Sequence, residues 1–207
     1  PPLMCACLRD RVLRVVQGLT EFRPIGSAAH LKVVPELLGW GDPGVSVTAA
    51  IQLGSIVAVI AYFRTDLSQV LRGISRAFRH GQWHEPEARL GFAMVVGTLP
   101  ILLIGFGIKF AWAQGYEQSS LRSVPSIAIV SIVMALLLAL AERVGARRKQ
   151  LPEVSGCDGL LVGLAQALAL IPGVSRSGST LTAALFSGWP RADAARFSFL
   201  LGIPAIT

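Results

Sequence analysis

Glu21, Arg23, Ser27 and His30 fall within one short stretch, QGLTEFRPIGSAAHL, from Gln17 to Leu31. Gln17 and Glu21 are spaced i, i+4, so on a helix they share a face. Two carboxylates at this spacing would suit a divalent cation well; here one of the two is an amide. Ser27 is a nucleophile once a base removes its proton, and His30 can act as acid, base or nucleophile near neutral pH. Each has a plainer reading. Glu21 could be an interfacial carboxylate paired with Arg14 or Arg23, and His30 a satisfied core histidine. Their proximity in the chain favours a site.

A second stretch, GVSRSGSTLTAALF, runs from Gly173 to Phe186. Ser175, Ser177, Ser179 and Thr180 offer hydroxyls, and Gly173 and Gly178 let backbone approach a ligand. The spacing predicts a helix from Leu181 to Trp189, whose N-terminus favours anions. Arg176 supplies a guanidinium, the group best matched to phosphate oxygens. Together these read as a phosphate cradle. Gly173 to Thr180 also comes one residue short of a nucleotide-binding P-loop, but Ser179 stands where that motif has lysine, and an apolar helix precedes it instead of a strand. A Ser/Gly helix-packing motif is the other plain alternative.

Such groups need a scaffold. Of the 207 residues, 53% are hydrophobic and only 15% charged, whereas soluble domains carry about 25% charged residues. The composition is that of an all-α polytopic membrane protein. The net charge of +7 reads as loops facing an anionic leaflet. A nucleic-acid binder would need a basic face interleaved with aromatics, which is missing. Cys5, Cys7 and Cys157 form no disulfide framework or metal-ligand spacing. The first residue is proline, so the start is expected to lie inside a longer chain.

Three runs, 45–63, 91–113 and 124–141, have the roughly 17–25 residues that a bilayer crossing takes. The intervening segment 64–90 carries Arg64, Arg72, Arg76, Arg79 and Arg89, and 142–156 carries Arg143, Arg147, Arg148 and Lys149. The positive-inside rule places both in the cytoplasm. Within the first, Leu67, Leu71, Ile74 and Phe78 recur at helical spacing, which predicts a helix on the membrane surface.

Two further stretches, 8–44 and 159–189, each have an apolar piece, a Pro-Gly-Ser break and a second short apolar piece. Pieces this short predict re-entrant hairpins. Broken backbone at membrane depth is tolerated where it lines a protein cavity. The halves also align. Pro24 and Ser27 match Pro172 and Ser175 at an offset of 148, as Gly54 matches Gly202, and Gln17 matches Gln166 at 149. With three spans between the hairpins, the second is inverted relative to the first. The expected fold is one integral-membrane domain over 1–207, an inverted repeat whose hairpin tips meet near the midplane, as in many transporters. Residues 8–63 form the first hairpin and a span, 64–156 the basic loops and two spans, and 157–207 the second hairpin and the start of the next span. By symmetry two more spans are expected beyond Thr207.

At QGLTEFRPIGSAAHL, IQLGSIVAVIAYFRTDL (51–67), PGVSRSGST (172–180) and PRADAARFSFLLGIPA (190–205) the sequence resembles the undecaprenyl-diphosphate phosphatase, or bacitracin-resistance protein, family. The resemblance implies removal of the terminal phosphate of undecaprenyl diphosphate, which recycles the lipid carrier for peptidoglycan synthesis and confers bacitracin resistance. It implies a multi-pass protein of the bacterial cytoplasmic membrane with its site facing outward, and a divalent metal, Mg2+ or Ca2+, held by Glu21 and Gln17. It assigns catalysis to Glu21, Ser27, His30 and Arg176, and phosphate binding to Ser175, Arg176, Ser177, Gly178 and Thr180. Serine or histidine could be the nucleophile; His30 is the expected one, because imidazole needs no separate base at neutral pH. The lipid bilayer and the diphosphate lipid are the expected partners, and a homodimer is an assembly open to it.

The sequence departs from the family where Gly26, Ala28 and Ala29 replace two hydroxyl residues and a glycine, where Arg23 replaces leucine, and where Arg9, Asp10, Arg11 and Arg14 enter a usually apolar helix. Two other functions compete: a transporter or flippase of polyprenyl phosphate lipids, and a catalytically impaired relative. A carrier needs an anion site but no nucleophile. The phosphatase reading further requires Glu21, Ser27, His30 and Arg176 to converge on one cavity, with Ser175 and Ser177 in or beside it.

Overall fold

The computed structural model describes residues 2–21, 24, 26–40, 45–111, 115 and 119–206. The side chains of Cys5, Cys7, Arg23 and Arg122 lie outside the described residues, as does Thr207. Among the described residues the regular elements are all helical: α1 (Pro2–Glu21), α2 (Ser27–Leu37), α3 (Val45–Tyr62), α4 (Arg64–His80), α5 (Pro86–Ala111), α6 (Val124–Val144), α7 (Gly156–Ala167), α8 (Arg176–Phe186) and α9 (Arg191–Ile206), with short 3-10 turns at 120–122, 151–153 and 168–170.

α5 and the stretch Pro125–Val144 of α6 are each long and apolar enough to cross a membrane. Val95, Leu103 and Phe106 on α5, and Ile129, Ile132 and Leu136 on α6, stay exposed. Apolar side chains can face outward in this way where the surroundings are lipid. α5 begins before the apolar run. Pro86 is favoured in the first turn, where no amide hydrogen is needed, and Glu87 complements the helix dipole there.

α4 turns off α3 by 68° at Phe63. The apolar stripe expected on it is divided. Leu67 and Ile74 join Val70 and Ala77 against the core, while Leu71 and Phe78 remain exposed. Small residues are the reason. A Cβ on Gly73 would lie 2.5 Å from Glu87 Cβ, and one on Gly91 would lie 2.5 Å from Ile74 Cδ1, so α4 and α5 approach closely along a glycine-lined face.

α5 and α7 pack closer still. A Cβ on Gly163 would fall 2.2 Å from the Gly97 carbonyl oxygen, and one on Gly159 would fall 2.3 Å from that of Ala93. Ala93, Gly97, Gly159 and Gly163 thus form a small-xxx-small seam, where backbone meets backbone.

The α7–α8 hairpin starts at a capping box, with Ser155 accepting from the Asp158 amide and Asp158 accepting from the Ser155 amide. It ends at Gly188, whose carbonyl accepts from the amides of Arg148 (2.8 Å) and Lys149 (3.0 Å). Arg89 Nη2 donates to the Glu153 carbonyl at 2.9 Å. Both ends of the hairpin therefore adjoin the basic segments. Its tip lies elsewhere: Ser131 Oγ on α6 donates to the Gly173 carbonyl at 2.9 Å. Ser131 is seven residues into α6, about 10 Å from the far end of that helix.

α8 starts at Arg176, five residues before the expected Leu181, because Ser175 caps it by accepting from the Gly178 amide. It ends at Phe186 rather than Trp189. The Arg-Ser-Gly-Ser-Thr run, 176–180, is helix, not loop. α1 and α2 form the other broken pair, held with α3 by a small cluster of Leu13, Leu31 and Ile51.

Candidate functional site at the two hairpin tips

Gly26 breaks the chain ahead of α2 in a left-handed conformation, φ 75°. A Cβ there would lie 3.9 Å from Ser175 Cβ. On the other side, a Cβ on Gly178 would lie 3.4 Å from the Pro24 carbonyl oxygen. The two tips thus touch across almost 150 residues of chain.

Glu21 closes α1 and stands at the centre of the junction. Its Oε2 accepts from Gln17 Nε2 at 2.8 Å and from the hydroxyl of Ser27. Its Oε1 accepts from Arg176 Nη2 at 3.1 Å. The partner is Arg176, not the nearby Arg14. Arg176 Nη1 also donates to the Gly202 carbonyl at 3.3 Å, so the guanidinium packs against α9. One carboxylate thus ties a serine of the first hairpin to an arginine of the second.

These groups line one cavity of ≈ 390 Å³, with Gln17, Glu21 and Ser27 from the first hairpin and Ser175, Arg176 and Ser177 from the second. Ser175 Oγ lies 3.4 Å from Ser177 Oγ. The first turn of α8 opens at the same place, and the positive end of its helix dipole favours anions there.

His30, Gly178 and Thr180 do not line the cavity. His30 Nδ1 lies 2.8 Å from the Gly26 carbonyl oxygen; an oxygen only accepts, so Nδ1 carries the hydrogen. Thr180 is fully buried and donates back to the Arg176 carbonyl at 3.0 Å, beside Ser198. One helical turn past Arg176, its hydroxyl is used up on backbone. Gly178 serves the close approach to Pro24.

The sequence reading missed Gln52 and Ser55 on α3 and Ser198 on α9, all of which line the cavity. The signal for the first two was available: polar residues at i, i+3 within an otherwise apolar span. A second, apolar groove of ≈ 890 Å³ runs past Ile104, Ile108, Leu164, Leu168 and Ile171, and Leu170 belongs to the walls of both.

Among the described residues no group of three or more His, Cys, Asp or Glu side chains could hold a metal ion. The oxygen donors present are nevertheless of the right kind. Gln17 is 1% exposed, and its Oε1 is a buried acceptor without a partner, next to the Glu21 carboxylate. A buried amide oxygen and a carboxylate fit a hard divalent cation whose remaining ligands come from phosphate and water.

The family model described as bacitracin resistance protein BacA matches residues 11–207. An undecaprenyl-diphosphatase of Synechococcus sp. (strain CC9605) is 87% identical over 205 residues, covering 99% of this chain and 71% of the relative. Another, from Parasynechococcus marenigrum (strain WH8102), is 80% identical over 98% of this chain and 70% of the relative. A third, from Prochlorococcus marinus (strain MIT 9303), is 73% identical over 99% of this chain and 70% of the relative.

Proposed function

This chain belongs to the bacitracin resistance protein BacA family, and from that premise we propose that it hydrolyses undecaprenyl diphosphate to undecaprenyl phosphate and inorganic phosphate. The observation that carries the mechanism is the Ser27–Glu21–Arg176 junction inside one cavity. Arg176 and the start of α8 bind the terminal phosphoryl group. The incoming phosphate competes for the guanidinium and releases Glu21 Oε1. Glu21 takes the proton of the Ser27 hydroxyl, and Ser27 Oγ attacks the terminal phosphorus. The bond from that phosphorus to the bridging oxygen breaks, and the lipid leaves as its monophosphate. Water then cleaves the phosphoserine and releases inorganic phosphate. Arg176 stabilises the charge on the transferring oxygens throughout.

Geometry favours Ser27 over His30 as nucleophile, since Ser27 lines the cavity and already donates to a carboxylate. His30 holds the Gly26 carbonyl and so positions Ser27, one residue on. Gln17 and Glu21 would hold a divalent cation, Mg2+ or Ca2+, which supplies neutralisation of phosphate charge. The apolar groove sharing Leu170 offers a place for the prenyl chain.

The same reading places the protein in the bacterial cytoplasmic membrane, with both hairpins re-entrant and the site open to the outer side. The adjacency of both α7–α8 ends to the basic segments supports this, as does the tip level with the outer part of α6. A carrier of the same lipid would need the Arg176 anion site but not the Ser27–Glu21 pair. The test is phosphate release from undecaprenyl diphosphate by the detergent-solubilised protein. Release that stops with chelator is expected; no release from folded protein with metal supplied would overturn the reading.

A further inference from the structure

Gln52 and Ser55 have no part in the mechanism above. They sit at i, i+3 on the α3 face that also brings Ile56 and Val59 to the cavity, Gln52 exposed and Ser55 half-buried, while Leu53 and Val57 lie on the opposite face. The other polar side chains of the cavity each have a partner, with only the Gln17 amide oxygen left over. Gln17, Ser27 and Arg176 meet at Glu21; Thr20 donates to the Val16 carbonyl; Ser175 caps α8; Ser198 bonds Thr180. Ser177 also has a partner. Among the described residues, Gln52 and Ser55 have none. Polar groups at membrane depth are costly and tend to serve a ligand. Both are neutral, and between them they offer an amide and a hydroxyl as donors.

A diphosphate brings two phosphoryl groups. The one that reacts must lie by Ser27 and Arg176, which share the Glu21 carboxylate. The other must be held elsewhere in the cavity. Resting on the phosphatase reading, we propose that Gln52 and Ser55 hold the lipid-linked phosphoryl group, the one that leaves with the prenyl chain. The division suits the chemistry. The transferring group gains most from a fixed positive charge in the transition state. The retained group must be let go as product, and neutral donors bind it without trapping it.

The experiment compares wild type with Gln52→Leu, Ser55→Ala and the double variant, with Ser55→Thr as the conservative control. Full-length protein in detergent is assayed for phosphate release from undecaprenyl diphosphate, with undecaprenyl monophosphate and inorganic phosphate as competing inhibitors. Melting temperatures confirm folding. The double variant is expected to raise KM about tenfold or more, as for lost hydrogen bonds to a charged group, with kcat within about threefold. Inhibition by the lipid monophosphate weakens by a similar factor, inhibition by inorganic phosphate stays unchanged, and Ser55→Thr behaves as wild type. Unchanged KM and unchanged monophosphate inhibition overturn the inference; so does an equal loss of inorganic-phosphate inhibition, or a fall in kcat at constant KM. Ser55→Ala removes one oxygen and serves alone if Gln52→Leu misfolds. Wild type that binds both lipids yet releases no phosphate overturns the phosphatase reading instead, and the lipid-monophosphate binding of the variants still decides this one.

Discussion

The two broken-helix hairpins share a plan and bring different groups to one cavity. Both carry a buried glutamine, a proline at the break and a serine three residues after it: Gln17, Pro24 and Ser27 in one, Gln166, Pro172 and Ser175 in the other. They part company at two places. Four residues after Gln17 stands Glu21, and four after Gln166 stands Leu170. Arg176 follows Ser175, whereas Ala28 follows Ser27. The serines diverge as well. Ser175 accepts a backbone amide as a helix cap, while Ser27 donates to a carboxylate and leaves the N-terminus of α2 to Gly26. A repeated scaffold thus supplies a carboxylate from one copy and a guanidinium cation from the other. Neither half contains the site.

The largest effect should come from breaking the bridge between the halves. Arg176→Ala is expected to lower kcat/KM for undecaprenyl diphosphate by about a hundredfold or more, and Glu21→Ala by a similar factor, measured by phosphate release. Near-normal turnover in Arg176→Ala would mean that the second hairpin contributes no charge to catalysis.

Ser27 and His30 provide the next test. Ser27→Ala is expected to lose about two decades, at the low end of acid–base and nucleophile deletions. His30→Ala should lose only about tenfold, since it acts through Gly26. Equal losses would contradict the ranking, and a phosphohistidine trapped at His30 would reverse it.

That ranking shows what was legible in the sequence. The apolar runs and the Pro-Gly-Ser breaks announced helices and hairpins, because length and hydropathy are properties of the local chain. The meeting of Glu21 with Arg176 followed from counting spans between the breaks. His30 was read into the cavity because it is near Ser27 in sequence, but a ring that bonds the carbonyl four residues back is committed to its own helix turn. The start of α8 was hidden because serines and glycine favour caps and turns, and here neighbouring helices hold them helical. Gln52 and Ser55 carried a signal in their i, i+3 spacing, but only the packing of α3 shows that both line the cavity.

The support beneath the second hairpin can be tested through packing. Gly163→Val is expected to destabilise the protein by about 1–3 kcal/mol, typical of overpacking, because its side chain must displace the α5 backbone at Gly97. A melting temperature equal to wild type would show that the α5–α7 seam is looser than the contact distances imply. The smallest effect sharpens the comparison of the glutamines. Gln166 is fully buried, with both amide atoms unpartnered. Gln166→Leu should be neutral or stabilise by up to about 2 kcal/mol, with little change in turnover. Gln17→Leu, which removes a donor to Glu21, should instead reduce activity. Matching responses in both would deny the division of labour.

The double acceptance at the Gly188 carbonyl has a mechanical meaning. The amides of Arg148 and Lys149 fasten the basic segment to the exit of α8, and Arg176 is the first residue at the other end of the same 11-residue helix, about 16 Å away. An α-helix of that length is stiff along its axis. α8 is therefore a spacer: it fixes how far the guanidinium at the hairpin tip stands from the basic face anchored at Gly188.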